Sequence, residues 1–246
     1  MRLTVQVWRQ AGPAEPGRFE QHELAALSPQ LSILDLLDRL NESLVDAGRE
    51  PVAVESDCRE GVCGACGVTV DGRPHGPQGG LPTCLQGLAS FADGATVSIE
   101  PLRSAAFPVV RDLVVDRSAL DRLIQAGGHV AVDAGTAADA NALPVPTDVA
   151  EQALDFAACI GCGACVAACP NGAAHLFAGA KLLHLADLPN PAQERSRRAL
   201  EMTAQLEADF GPCSLYGECA QVCPAGIPLR AVAAVPRERL RSRFRR

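Results

Sequence analysis

The start of the chain alternates apolar and polar residues and then changes to a helical repeat. Leu3, Val5 and Val7 lie on one face of a period-2 pattern, which predicts a strand. A helix is predicted to begin after Ser32, because Asp35 occupies the capping-box position. The apolar residues that follow recur with the spacing of one helix face: Ile33, Leu34, Leu36, Leu37, Leu40 and Leu44.

Short strands complete this part of the chain, and helical patterns replace them later. Further strands are predicted at 52–54, 68–70 and 96–99, with a hairpin turn at 71–72. Later helices are predicted at 151–156, 178–185, 191–209 and 229–235. Glycine- and alanine-rich sequence between the two parts indicates a connector with little core of its own, holding one helix near 116–125.

These patterns predict an α+β protein with two domains. A mixed β domain is expected to come first and a helical domain last. The expected bounds are 1–104 for the first domain, 105–146 for the connector and 147–246 for the helical domain.

Charge and cysteine usage narrow the functional class. The net charge is −7, which disfavours a nucleic-acid binder that depends on bulk positive charge. The 246 residues include 11 cysteines in tight clusters, a spacing unsuited to a network of disulfide staples. The N-terminus lacks a signal-peptide core, and no apolar run approaches the roughly 18 residues of a membrane span. We therefore expect an intracellular protein that another chain holds to any membrane.

The first cysteine group has the spacing of plant-type [2Fe–2S] ferredoxins. Cys58, Cys63 and Cys66 form a C-x4-C-x2-C pattern, and Cys84 supplies the fourth thiolate. Glycines within the loop allow unusual backbone angles that bring N–H groups near the sulfurs. A structural zinc site is the alternative, but zinc sites prefer paired C-x2-4-C units.

The second and third groups resemble each other in spacing. Cys159, Cys162, Cys165 and Cys169, followed by Pro170, repeat the run found in bacterial ferredoxins. In two-cluster ferredoxins, the last cysteine of such a run ligates the other cluster. The third group comprises Cys213, Cys219 and Cys223, and Tyr216 stands where its second cysteine would be.

The crossover rule then distributes all the cysteines. A [4Fe–4S] centre is predicted on Cys159, Cys162, Cys165 and Cys223. The remaining three thiolates suit a [3Fe–4S] centre on Cys169, Cys213 and Cys219. The [2Fe–2S], [4Fe–4S] and [3Fe–4S] centres therefore take four, four and three cysteines, and no histidine ligand is required.

With these motifs in this order, the chain resembles the iron–sulfur subunits of the succinate dehydrogenase and fumarate reductase family. The segment 108–116 is also similar to the family's connector. The resemblance implies a β-grasp domain of the plant-type ferredoxin kind, followed by an all-α domain like bacterial ferredoxins. It further implies a flavoprotein partner with FAD, membrane anchor subunits and a quinone near the [3Fe–4S] centre. The chain would then be peripheral, at the cytoplasmic face of a bacterial membrane.

The same resemblance bears on the type of quinone. Members that reduce ubiquinone commonly carry a Trp and a His where this chain has Ala174 and Ser214. The stretch 169–177 is more similar to menaquinone-linked members, which are often paired with a haem-bearing anchor. Menaquinone is therefore the expected acceptor, and the residues expected near it are Pro170, Ser214 and Tyr216. Tyr216 either faces the quinone or covers the cluster with apolar bulk.

Three other functions compete with this interpretation. One is an electron-transfer subunit of another complex, heterodisulfide-reductase-like or glycolate-oxidase-like, which usually carries two complete [4Fe–4S] runs and no [2Fe–2S] loop. The second is a free multi-cluster ferredoxin, and the third is a zinc-stabilised interaction module without redox activity. The loop at Cys58 and the non-cysteine at position 216 disfavour the first of these.

Overall fold

The computed structural model describes residues 1–130, 141 and 143–244, and it is of the α+β class. Residues 131–140 and 142 of the expected connector lie outside the described residues. A mixed sheet occupies the first part of the chain and helices occupy the second. No helix within the described ranges is long and apolar enough to cross a bilayer.

The first part is built on a five-stranded sheet with the order β2-β1-β5-β3-β4. The two central strands, β1 and β5, run parallel, and the other pairs are antiparallel. The strands span Leu3–Arg9, Arg18–Leu24, Val68–Val70, Arg73–Pro74 and Thr96–Pro101 for β1 to β5. The predicted strands at the first, third and fifth of these positions are confirmed.

One helix, α1 at Ile33–Asp46, covers this sheet. The predicted capping box is present, since Asp35 N–H donates to Ser32 Oγ at 3.1 Å and Ser32 N–H donates to Asp35 Oδ2 at 2.8 Å. The apolar stripe of α1 is buried, and apart from Leu34 it shares one core with inward side chains of β1, β3 and β5.

The turn between β3 and β4 is the predicted hairpin. Asp71 and Gly72 both have positive φ, +47° and +75°, as a two-residue type I′ turn requires. Immediately after β4, the chain turns toward the second half of the molecule. The hairpin therefore fixes the position and direction of the residues that follow β4.

Two features of the first part differ from the sequence prediction. The strand expected at 52–54 is wrong, because side chains satisfy that backbone. Asn41 binds both polar groups of Val52, and Asp112 Oδ2 accepts from Ala53 N–H at 2.9 Å. In contrast, β2 was not predicted, because most of its residues are polar and it lies at the exposed edge of the sheet.

The second part is helical. The helices predicted at 151–156 and 178–185 are confirmed with longer bounds, and the helix predicted at 191–209 is confirmed almost unchanged. α3 to α6 span Thr147–Ala157, Ala164–Ala167, His175–Ala186 and Ala192–Asp209. The short α7 spans Glu218–Gln221, and α8 at Ala234–Phe244 follows a 3-10 turn at Leu229–Ala233. The helix predicted at 229–235 is therefore a tight turn that leads into a longer helix.

The described residues after 104 pack against the cores of the other two parts of the chain. A two-stranded ladder of β6 and β7, at Val109–Arg111 and Val114–Val115, is followed by α2 at Ser118–Leu123. Phe107, Leu120 and Leu123 are at most 4% exposed and belong to the core formed with α5 and α6. A few large apolar residues produce this packing, and no periodic pattern in the sequence predicted it.

Candidate iron–sulfur centres

The first cysteine loop is held in a shape that aims backbone N–H groups at sulfur. Glu60 N–H donates to Cys58 Sγ at 3.4 Å, and Ala65 N–H donates to Cys63 Sγ at 3.5 Å. This geometry requires left-handed backbone at Gly64, whose φ is +74°. The loop thus presents donors to thiolates, as a ligand loop for an anionic cluster must.

The four predicted [2Fe–2S] ligands come together here in two differing environments. Cys58 and Cys63 are hydrogen-bonded neighbours, and the backbone N–H groups of Glu60 and then Val62 lower the pKa of Cys58 to about 7. Cys66 and Cys84 interact directly and are 5% and 7% exposed. Burial is the main cause that raises the pKa of Cys66 to about 12.

The second set surrounds a small apolar cavity. Phe177 and Ile227 line this cavity. The four predicted [4Fe–4S] ligands line it as well: Cys159, Cys162, Cys165 and Cys223. Ile227 N–H donates to Cys223 Sγ at 3.4 Å. Burial raises the pKa of Cys162 to about 12, and it raises the pKa of Cys165 well above its ordinary value. Without a metal these groups are therefore thiols near neutral pH.

The third set lines an adjoining cavity. Cys169, Cys213 and Cys219 all border it, and burial raises the pKa of Cys219, with the other two thiols close enough to add to the effect. The crossover expected from the two runs is thus present in space. Cys223 lies with the second set and Cys169 with the third, although each belongs by sequence to the other run.

The residues expected near a quinone lie on the exposed side of the third set. Ser214 and Tyr216 line the cavity, and Tyr216 is 58% exposed. Pro170 is exposed as well, and Asn171 Nδ2 next to it donates to Ser214 Oγ at 2.8 Å. Ala174, by contrast, is fully buried in the core and does not border the cavity.

His175 also borders this cavity, which the sequence pattern did not indicate. Burial lowers the pKa of His175, and the charge of Glu207 partly opposes this effect. Its Nδ1 is buried with no hydrogen-bond partner among the described residues. A lone histidine in a helical stretch carries no sequence signal for such a position, because only the fold brings it beside the cysteines.

The first and second sets lie against each other. Arg117 Nη1 donates to Gly64 O at 2.7 Å and to Cys162 O at 3.3 Å, so one guanidinium binds both loops. A Cβ atom at Gly64 would lie 2.7 Å from Ile160 O, which leaves room for glycine alone. His75 Nε2 lies 3.2 Å from Cys162 Sγ. Sequence reasoning missed both Arg117 and His75, because 45 and 87 residues separate them from Cys162.

The cysteines form no disulfide bonds with one another. All 11 cysteines lie in the described part of the chain, and each is free. Among the described residues, no three or more His, Cys, Asp or Glu side chains are grouped so as to hold one metal ion.

Comparisons with known proteins agree with this arrangement. Residues 4–122 match the 2Fe-2S iron-sulfur cluster binding domain, and residues 158–227 match the 4Fe-4S dicluster domain. The succinate dehydrogenase iron-sulfur subunit of Bacillus subtilis is 30% identical over 229 residues, which cover 88% of this chain and 85% of that protein. The fumarate reductase iron-sulfur subunit of Escherichia coli O6:H1 is 30% identical over 200 residues, or 80% of this chain and 75% of that protein.

A solved structure has the same fold. A chain of the Mycobacterium smegmatis Sdh1 complex in the apo form superposes with a TM-score of 0.71 at 21% identity, covering 100% of this chain and 97% of that chain. The two family matches and the 30% identities to two named relatives confirm the resemblance expected from the cysteine motifs. This chain therefore belongs to the family of iron–sulfur, electron-transfer subunits of succinate dehydrogenase and fumarate reductase.

Proposed function

We propose that the chain carries electrons one at a time from the FAD of a flavoprotein partner to a quinone at a membrane anchor. The observation that carries this proposal is the order of the three cysteine sets in space. The first loop contacts the second set through Gly64 and Ile160. Cys165 of the second set interacts with Cys219 of the third. A row of one-electron centres would separate two-electron flavin chemistry from quinone reduction.

The chain's own residues fit the three centres. A [2Fe–2S] centre would be held by Cys58, Cys63, Cys66 and Cys84. A [4Fe–4S] centre would be held by Cys159, Cys162, Cys165 and Cys223, and a [3Fe–4S] centre by Cys169, Cys213 and Cys219. The common cavity linings and the N–H donors to sulfur support this assignment. Metal coordination deprotonates a thiol outright, which offsets the raised pKa values of the buried set.

The same proposal includes the domain organisation. The parallel pair of central strands and the single covering helix support a β-grasp domain at 1–104. The cysteine-bearing helices support a domain of the bacterial ferredoxin kind at 147–246. Residues 105–146 would join them, and their described part packs on both, with Leu113 in the core of the first domain and Phe107 and Leu120 in that of the helical domain. The chain would be peripheral at the cytoplasmic face of the membrane.

Menaquinone is the proposed acceptor. Ser214 and Tyr216 are exposed beside the third set, so a quinone bound there would meet a hydroxyl and a phenol rather than an imidazole and an indole. Fully buried Ala174 leaves no place for a tryptophan at that position. The anchor subunits would complete the site, and a haem would belong to them. Rates of the purified complex with naphthoquinone analogues are expected to exceed those with ubiquinone analogues; the opposite ranking would contradict the menaquinone assignment.

The decisive experiment is low-temperature EPR of the anaerobically purified complex, as isolated and after reduction. A near-isotropic signal in the oxidised sample that disappears on reduction is expected from a three-thiolate centre. A [2Fe–2S] signal is expected to appear on reduction. A sample that shows [2Fe–2S] and [4Fe–4S] signals on reduction, with no signal when oxidised, would contradict the assignment of Cys169, Cys213 and Cys219.

A further inference from the structure

His75 lies where the first cysteine loop meets the second cysteine set, and its backbone is strained. Its φ is +69°, in the left-handed region that residues other than glycine seldom adopt. Its side chain is buried, with 1% exposed. Such a conformation persists only where the surroundings impose it, so a strained and buried histidine indicates a role for the ring.

The hydrogen bonds of the ring identify its tautomer. Thr83 N–H donates to Nδ1 of His75 at 3.3 Å, so Nδ1 carries no proton. Thr83 Oγ1, which accepts from Val68 N–H at 3.4 Å, lies 3.1 Å from the same nitrogen and donates its own proton there. Because Nδ1 accepts hydrogen bonds, the proton of the ring lies on Nε2.

The protonated nitrogen faces one acceptor among the residues that the structure describes. Nε2 of His75 lies 3.2 Å from Cys162 Sγ, within the distance at which an N–H group donates to sulfur. Cys162 is 7% exposed, so the protein rather than bulk water supplies the donor to this sulfur. The imidazole is thus oriented at both nitrogens and aimed at a single thiol.

We propose that His75 is a positioning residue that donates a hydrogen bond from Nε2 to Cys162 Sγ and thereby raises the reduction potential of the [4Fe–4S] centre. The inference rests on the proposed function, in which Cys162 is a ligand of that centre. Hydrogen bonds to ligand sulfurs are among the factors that set cluster potentials. A donor stabilises the more negative, reduced centre more strongly than the oxidised one, so the potential rises.

The same ring connects the two cysteine sets. Thr83 directly precedes Cys84, so two hydrogen bonds join a neighbour of one [2Fe–2S] ligand to a [4Fe–4S] ligand. Arg117 and Gly64 hold the two loops together independently of the histidine. Replacement of His75 is therefore expected to change the cluster without separating the loops.

The test is a redox titration of all three centres by EPR in the complex purified with its partner subunits. His75→Leu removes the donor, and His75→Gln keeps an N–H group at similar reach. We expect a lower [4Fe–4S] midpoint potential in His75→Leu, a value near wild type in His75→Gln, and an unchanged [3Fe–4S] potential in both. A role in packing alone predicts no rescue by Gln and no selective shift.

A second measurement keeps the proposal testable if His75→Leu fails to assemble. Wild-type complex labelled with ¹⁵N-histidine is expected to show a ¹⁵N coupling to the reduced [4Fe–4S] centre in pulsed EPR, and His75→Gln is expected to lose it. An unshifted potential in His75→Leu, or no such coupling in wild type, would overturn the inference. A [4Fe–4S] spectrum that is unchanged in Cys162→Ala, which has no ligand atom at that position, would instead refute the ligand assignment of the proposed function.

Discussion

The first cysteine loop and the cavity of the second set solve the same chemical problem with opposite environments. In the loop, Cys58 lies near the surface and backbone N–H groups lower the pKa of its thiol to about 7. In the cavity, burial raises the pKa of Cys162 to about 12. The exposed end of the loop therefore stabilises the Cys58 thiolate before any iron arrives, whereas the cavity disfavours the Cys162 thiolate until metal coordination removes its proton.

This difference indicates how each region depends on its cofactor. The cysteines of the second set border the apolar core that joins α3, α5 and the chain after Cys223. A thiolate buried there without a metal is costly, so the helical region and its cluster stabilise each other. The loop depends less on its cluster, because α1 and the sheet form a separate core beneath it.

The largest effect is expected from replacing one cysteine in each region. Cys165→Ser removes a half-buried ligand and puts a hydroxyl in an apolar cavity, so we expect loss of the [4Fe–4S] centre and failure of the complex to assemble. Cys58→Ser, the matched control, lies where solvent and N–H donors stabilise an oxygen ligand, and we expect a retained, altered [2Fe–2S] signal. Iron content and EPR of both variants measure the difference; equal cluster loss would remove the contrast between the regions.

The next effect concerns the identity of one centre. Tyr216→Cys restores the cysteine that the third run lacks, at a residue that borders the cavity of Cys169, Cys213 and Cys219. We expect conversion toward a [4Fe–4S] centre, with a lower potential and slower quinone reduction. EPR of the oxidised variant measures this. An unchanged [3Fe–4S] signal would refute the three-cysteine assignment.

The helical region is also expected to be the acid-sensitive one. Burial raises the pKa of Glu238, but hydrogen bonds from Arg195 at 2.6 and 2.8 Å more than offset this, and its pKa is lowered overall. A lowered folded-state pKa stabilises the fold above the ordinary pKa of Glu, and this contribution is lost as the pH falls through the folded value.

Glu238→Gln is therefore expected to lower the free energy of unfolding near pH 7 by about 3 kcal/mol, because it leaves the Arg195 charge without its partner. The difference from wild type should shrink as the pH falls below about 4.5, the ordinary Glu pKa. Thermal unfolding between pH 7 and about pH 2.5, a range that extends below the ordinary Glu pKa, measures both. A constant difference across that range would exclude the ion pair as its cause.

The smallest effect tests the contact between the two regions. Gly64→Ala adds a Cβ 2.7 Å from Ile160 O at a left-handed position, so we expect a loss of about 2–3 kcal/mol. Gly72→Ala is the control, since φ there is +75° but no atom lies within 4 Å of the added carbon. Its cost should be about 1 kcal/mol, from conformation alone. Equal shifts in melting temperature for Gly64→Ala and Gly72→Ala would mean that the two loops are not in close contact at Gly64.

Local patterns predicted much of the fold where neighbours in sequence decide the structure. The capping box at Ser32 and Asp35, the stripe of α1 and the hairpin at 71–72 all involve residues within a few positions of one another. The segment 52–54 shows the limit of such patterns. Its backbone is bound by Asn41 and by Asp112, 11 and 59 residues away, so a short apolar pattern predicted a strand that does not form.

The sequence by itself determined the cysteine groups, their spacing and hence the kind of centre that each suits, because thiolate number and spacing are local properties of the chain. Only the tertiary structure decided that Arg117 binds both loops and that His75 reaches Cys162. Each of these contacts joins residues at least 45 positions apart or lies across two elements. Packing of the separate cores brings them together, and no periodicity along the chain encodes that.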